Sequence, residues 1–125
     1  MNLEGKVAIV TGGNGGLGQR ICHALDDVGC TVAGIYNESK AEAEFVAARL
    51  NSAKAFQCDV RDTERIDRMV GEVREAFGGV DILVNDAAFN AWIPFNDLDS
   101  MTHEAWEKIL DVNLNGPMRC IKAVE

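Results

Sequence analysis

Val7-Ala8-Ile9-Val10-Thr11-Gly12-Gly13-Asn14-Gly15-Gly16-Leu17-Gly18 decides the fold. The β-branched apolar run at its start suits a buried strand, and it halts at a glycine-rich turn. An amphipathic pattern follows at once, with Leu17, Ile21, Ala24, Leu25 and Val28 spaced by three and four. Strand, glycine loop and helix start, in that order, build a phosphate cradle. The glycines let the backbone approach a pyrophosphate, and the free N–H groups of the helix N-terminus face its negative charge. The ligand implied is a dinucleotide, held by Gly12, Asn14, Gly15, Gly16, Leu17 and Gly18. Two registers describe the loop: Gly13, Gly15 and Gly18 fit G-x-G-x-x-G, while Thr11, Gly12, Gly16 and Gly18 fit T-G-x-x-x-G-x-G. Glycine turns also end strands and helices without any ligand, so the strand and helix on either side carry the reading. No Lys-Ser/Thr follows the last glycine, which disfavours a nucleoside-triphosphate P-loop.

Beyond this stretch, strand and helix patterns alternate. The first strand covers about Lys6 to Thr11, and Gly29 fits the C′ position of the helix after it. Thr31 to Tyr36 reads as a second strand. Ser39 is placed to cap a second helix that runs to about Leu50, with Phe45, Val46 and Leu50 on one side. Lys54 to Cys58 is a short third strand. Asp62 can cap a third helix whose Ile66, Met69, Val70, Val73 and Phe77 form one apolar stripe, stopped by Gly78-Gly79. Val80 to Val84 is the fourth strand, apolar on both faces except at Asp81, which reads as structural. Asn85 to Met101 is irregular and aromatic, and a last helix starts near Thr102. The expectation is an α/β protein with a Rossmann-type doubly wound parallel sheet. Its strand order is 3-2-1-4, with helices on both faces. Ligands of such sheets sit where the winding reverses, next to the glycine loop.

Composition narrows the partners. The chain has 125 residues, enough for one domain with a core, and 47% of them are hydrophobic. Its net charge is −8 with no Lys/Arg cluster, so neither a nucleic acid nor an anionic membrane is expected as a partner. No apolar run approaches a membrane span and no signal-peptide pattern leads the chain, so the expected location is cytoplasmic. Cys22, Cys30, Cys58 and Cys120 show no C-x-x-C or zinc spacing and read as reduced, buried thiols. His23 and His103 read as surface residues, and no metal site is expected.

Several motifs in order now carry a resemblance. Leu3 to Gly12, the T-G-x-x-x-G-x-G loop, Asp59-Val60, Val80 to Asn85 and Asp111-Val112-Asn113-Leu114 together resemble the short-chain dehydrogenase/reductase family along essentially the whole chain. The resemblance implies that the loop glycines hold the pyrophosphate of a nicotinamide cofactor. It implies that Asp59, beside Val60, bonds the adenine amino group, and that the backbone from Asn85 to Ala87 lines the adenosine pocket. It also implies that Asn113 lies in a distorted helix, where it organises a proton-relay water and is the catalytic-shell residue. On its residues alone, Asp59 reads equally well as a helix N-cap or turn residue. Asn113 alone reads as a solvated or back-bonding asparagine, or as a functional polar residue sharing a face with Trp106, Ile109 and Leu110.

Two positions depart from the family pattern, which has Asn-Asn-Ala-Gly where this chain has Asn85-Asp86-Ala87-Ala88. A carboxylate at Asp86 replaces the amide only as an acceptor, and Ala88 crowds a close backbone approach. Cofactor choice rests on the end of the second strand, where an acid favours a bare ribose. Tyr36 stands there and does not repel a 2′-phosphate, with Asn37, Ser39 and Lys40 near. Gly15 and Glu38 argue the other way, so NADP or NAD remains open with a lean to NADP. Tyr36 to Lys40 also has Y-x-x-x-K spacing, but it follows the second strand beside the adenosine ribose and is not read as catalytic. Phe89, Trp92, Ile93, Pro94 and Phe95 line either a substrate wall or a surface packed on the core or a partner.

The family's carbonyl-orienting Ser and its Tyr-x-x-x-Lys pair are absent after Asn113. Residues 1–125 are therefore read as a single NAD(P)-binding domain, truncated in or after the fourth helix and inactive alone. It belongs to an NAD(P)-dependent oxidoreductase that interconverts a small-molecule carbonyl and an alcohol. The full-length protein is expected to be a homo-oligomer, on the resemblance. The alternative is a non-catalytic dinucleotide-binding or sensing module, and a flavodoxin-like signalling domain is more distant.

Overall fold

A computed structural model describes all of residues 1–125. Four parallel strands form one sheet in the order β3-β2-β1-β4, the order expected. They are β1 (Val7–Thr11), β2 (Thr31–Tyr36), β3 (Ala53–Gln57) and β4 (Ile82–Asn85). Register is set from β1, with Ile9 opposite Ala33 on one side and Leu83 on the other. Asp81 locks the start of that pairing. Its backbone N–H donates to the Val7 carbonyl at 2.8 Å, and its carboxylate accepts from the Val7 N–H at 2.9 Å.

Alternation along β1 feeds two cores, as the period of a strand dictates. Val7 and Ile9 join Ala33, Ile35 and Phe56 under helix α3 (Thr63–Phe77) and helix α5 (Gly116–Val124). Val10 joins Val32, Cys22 and Cys30 under helices α1 (Gly16–Asp27) and α2 (Lys40–Ala48). The winding thus reverses between β1 and β4. Ile66, Met69, Val70 and Val73 of α3 are buried, as their spacing predicts, and Asp62 caps that helix by accepting from the Arg65 N–H at 3.0 Å. Gly29 follows α1 with φ +89°, a conformation that glycine alone adopts without strain.

Two expectations are corrected here. Phe45 is 56% exposed, and α2 instead buries Ala43 and Val46. One residue along a helix turns a side chain by about 100°, and Phe45 lies under the Arg49 guanidinium, 4.1 Å from its ring centroid. Strand β4 is half-buried rather than buried, because it is the sheet's edge and pairs only with β1. After it the chain runs irregularly to a short 3₁₀ turn, Leu98–Ser100. Thr102 then caps α4 (His103–Leu110), a π turn covers Asp111–Asn115, and α5 continues the same helix. No helix is long and apolar enough to cross a membrane.

Candidate functional site

The carboxyl ends of β1 and β4 open onto a cleft of about 650 Å³. Glycine sterics build its first wall. Gly12 has φ +65°, and a Cβ there would meet Ala87 Cα and N at 3.0 Å. A Cβ on Gly18 would stand 2.0 Å from the Gly12 carbonyl oxygen, so the loop folds back onto α1 only because that atom is missing. The Gly13 N–H donates to the Ile35 carbonyl and ties the loop to β2. Helix α1 then begins with Gly15 as N-cap, without a side-chain cap and with no acid in its first turn. Its first N–H groups find no partner within the helix's own first turn, the arrangement that receives an anion.

Side chains reaching in from other elements build the opposite wall. Thr11, only 1% exposed at the end of β1, accepts the backbone N–H groups of Asp86 and Ala87, each at 3.1 Å. Asn113 accepts the Phe89 N–H at 2.8 Å and donates to the Phe89 carbonyl at 2.9 Å. This bracket is neither of the asparagine's ordinary helical roles: the side chain serves the β4 loop rather than solvent or its own turn. The helix departs from α geometry around Asn113, where residues 111–115 form the π turn.

The cleft floor carries the charges. Asp59 accepts the Arg61 backbone N–H at 2.9 Å and the Arg61 guanidinium through both oxygens. Those bonds hold its carboxyl below the usual aspartate range, although partial burial opposes them. Asp59 is therefore a turn residue in this structure, while Asp62 is the cap. Arg119 donates to the Val60 and Asp111 carbonyls and pairs with the Asp111 carboxylate, which joins this floor to the π turn.

Of the residues singled out from sequence, Gly12, Asn14, Gly15, Leu17, Asp59, Val60 and Ala87 lie on the cleft wall. Gly16 stands just outside it in open space, and Gly18 is buried beneath the loop as a packing position. Tyr36 is buried at the end of β2, Asn85 ends β4, and Asn113 acts through Phe89; none of the three lines the cleft. Asn37, Glu38 and Ser39 do line it, whereas Lys40 does not and pairs with Glu44 at 3.8 Å. Sequence reasoning missed Arg61 and Lys108, which bring cations to the cleft, because no motif or local spacing marks them. Of the aromatic stretch only Phe89 faces the cleft, with the Lys108 ammonium 4.1 Å from its ring centroid. Trp92 and Phe95 are exposed. All four cysteines are free and buried, and burial pushes Cys22 up to about 11 and Cys58 to about 12, so they are neutral thiols.

A parallel sheet in this order, with its crevice beside a glycine loop, defines a nucleotide-binding type of α/β fold. Residues 6–125 match the family described as short chain dehydrogenase, and the chain belongs to that family. It is 42% identical to galactitol 2-dehydrogenase of Agrobacterium fabrum, covering 99% of this chain and 47% of that one. It is 36% identical to a sorbose reductase of Candida albicans, covering 98% of this chain and 44% of the relative. Among solved structures, a short-chain dehydrogenase from Burkholderia cenocepacia in complex with NADP superposes with a TM-score of 0.90 at 35% identity, covering 99% of this chain and 51% of that one. The chain spans about half the length of the curated relatives it matches.

Proposed function

We propose that residues 1–125 form a single cofactor-binding unit of an NAD(P)-dependent oxidoreductase acting on a small-molecule carbonyl or alcohol, with NADP preferred over NAD. The observation that carries this is the amino end of α1, with no side-chain cap and no acid in its first turn, behind a loop in which Gly12 and Gly18 leave no room for a Cβ. In this reading Gly12, Asn14, Gly15, Gly16 and Leu17 hold the pyrophosphate and Gly18 keeps their loop in place. Asp59, Val60, Asn85 and Ala87 surround the adenosine, and Asn113 orients the β4 wall and a relay water. The bound cofactor supplies or accepts the hydride. The NADP preference is supported by Asn37 and Ser39 on the cleft, Arg61 nearby, and the NADP-bound structural relative. Tyr36, at the end of β2, leaves the ribose edge without an acid of its own, although Glu38 is close.

The chain's only tyrosine is Tyr36, on β2 and apart from Asn113, so the acid/base step of this reading uses residues outside these 125. The chain alone is then a binding unit without turnover. A homo-oligomer of the whole protein and a cytoplasmic location belong to the same reading. Titration with NADPH and NADH, followed by nicotinamide fluorescence, tests it. The expected result is saturable binding of both with NADPH the tighter, and silence toward both from a folded sample overturns it.

A further inference from the structure

Asp86 stands on the cleft wall facing the glycine loop, and its setting differs from that of Asp59, which lines the same cleft together with Glu38. Asp59 gives both oxygens to Arg61. The ion pairs of the structure join Lys40 to Glu44, Arg61 to Asp59, Arg65 to Glu72 and Arg119 to Asp111, and Asp86 takes part in none of them. Its backbone N–H donates to the Thr11 hydroxyl at 3.1 Å, which holds the main chain at this point of the wall. One carboxylate oxygen lies 2.9 Å from the place a Gly18 Cβ would take and 3.3 Å from that of Gly12. The charge therefore rests against the loop, on the side of α1's first turn. Cys22 of α1 is a close neighbour, and burial first and then the charge of Asp86 push its thiol up.

An anion brought to the amino end of α1 consequently meets two opposing fields. The helix amides attract it, and a carboxylate that belongs to no ion pair and rests against Gly12 and Gly18 repels it. We propose that Asp86 is a specificity-determining residue that weakens phosphate binding at this helix end, so that the site holds its dinucleotide loosely and exchanges it fast. This rests on the cofactor reading above and goes beyond it by assigning a sign to one residue's contribution. Asparagine has the same size and shape but no charge, so Asp86→Asn removes the repulsion and leaves the wall in place.

The test is an NMR shift titration of the protein and of D86N with ADP, which carries the pyrophosphate, and with adenosine, which carries no phosphate. D86N should bind ADP about tenfold tighter, the magnitude of one like-charge contact at a part-buried site, and should bind adenosine as the parent does. Equal or weaker ADP binding overturns the proposal, and so does an equal gain for adenosine, which would mark a change of shape rather than of charge. If D86N does not fold, D86S carries the same expectations. A folded parent that binds no ADP at all would bring down the cofactor reading and this proposal together. A parent that binds ADP with no change in D86N brings down this proposal alone.

Discussion

On the glycine-loop wall the chain is shaped by atoms its side chains lack, whereas the wall beyond β4 is shaped by two polar side chains that reach it from elsewhere. Gly12 and Gly18 leave room for backbone to press on backbone. Thr11 and Asn113 satisfy the N–H groups of Asp86, Ala87 and Phe89, none of which lies in a strand or helix. Steric permission is local and nearly all-or-none, because a clash with backbone has nowhere to relax. Hydrogen-bonded support is distributed, and each bond contributes only about 1 kcal/mol net. The first wall should therefore fail abruptly and the second by degrees.

The largest effect is expected at Gly18. Gly18→Ala drives a Cβ into the Gly12 carbonyl oxygen and should cost about 3 kcal/mol, at the upper end of overpacking penalties. In a chain of this size that lowers the melting temperature by roughly 10 °C, read by circular dichroism. Gly16→Ala in the same loop is the contrast. Its Cβ meets nothing within 4 Å, and alanine in a first helical turn should leave the melting temperature unchanged or raise it slightly. Equal losses at the two positions would break the argument that contact, rather than glycine content, shapes this wall.

Thr11 comes next, with an intermediate effect. Thr11→Val keeps the volume but leaves the Asp86 and Ala87 N–H groups without their acceptor, which should cost about 2 kcal/mol. Hydrogen exchange at those two amides should quicken more than in β1 itself. Thr11→Ser keeps the oxygen and should restore the protection.

The same contrast separates what was legible in the sequence from what was not. Element order and the 3-2-1-4 sheet follow from periodicities within a few residues, as in the stripe from Ile66 to Val73, combined with general rules of connection. The glycine wall was legible for that reason too, since its parts lie within Gly12–Gly18. Phe45 was misplaced because the α2 pattern is rich in alanine, and which face sinks is then decided by β2 and β3 packing against it. The opposite wall joins Thr11 to residues some 75 positions away and Asn113 to one 24 positions away, and spacing says nothing about such pairs. Arg61 and Lys108 reach the cleft from separate elements in the same fashion. The buried Asp26 carboxylate, which holds the Asn51 and Ser52 N–H groups at the foot of β3, also had no local mark. Only the family resemblance pointed to a distorted helix at Asn113, because no residue type in Asp111–Asn115 demands a π turn.

The smallest predicted effect lies at Asn113 itself, and it separates the two halves of its bracket. Asn113→Ala removes both bonds to Phe89 and should cost about 1 kcal/mol, since the site is open enough for water to replace them in part. That corresponds to roughly fivefold faster exchange of the Phe89 amide, with β1 amides unchanged. Asn113→Asp keeps an acceptor for the Phe89 N–H but sets a carboxylate oxygen against the Phe89 carbonyl, where the amide had donated. Its Phe89 amide should stay protected at neutral pH, while the fold loses stability through the opposed oxygens. Protonating the new carboxyl at low pH supplies a donor again, so that loss should shrink as the pH falls through the carboxylate range. A Phe89 amide that exchanges at the parent's rate in Asn113→Ala would mean that the β4 loop is held by its own packing, and that the two walls do not differ in kind.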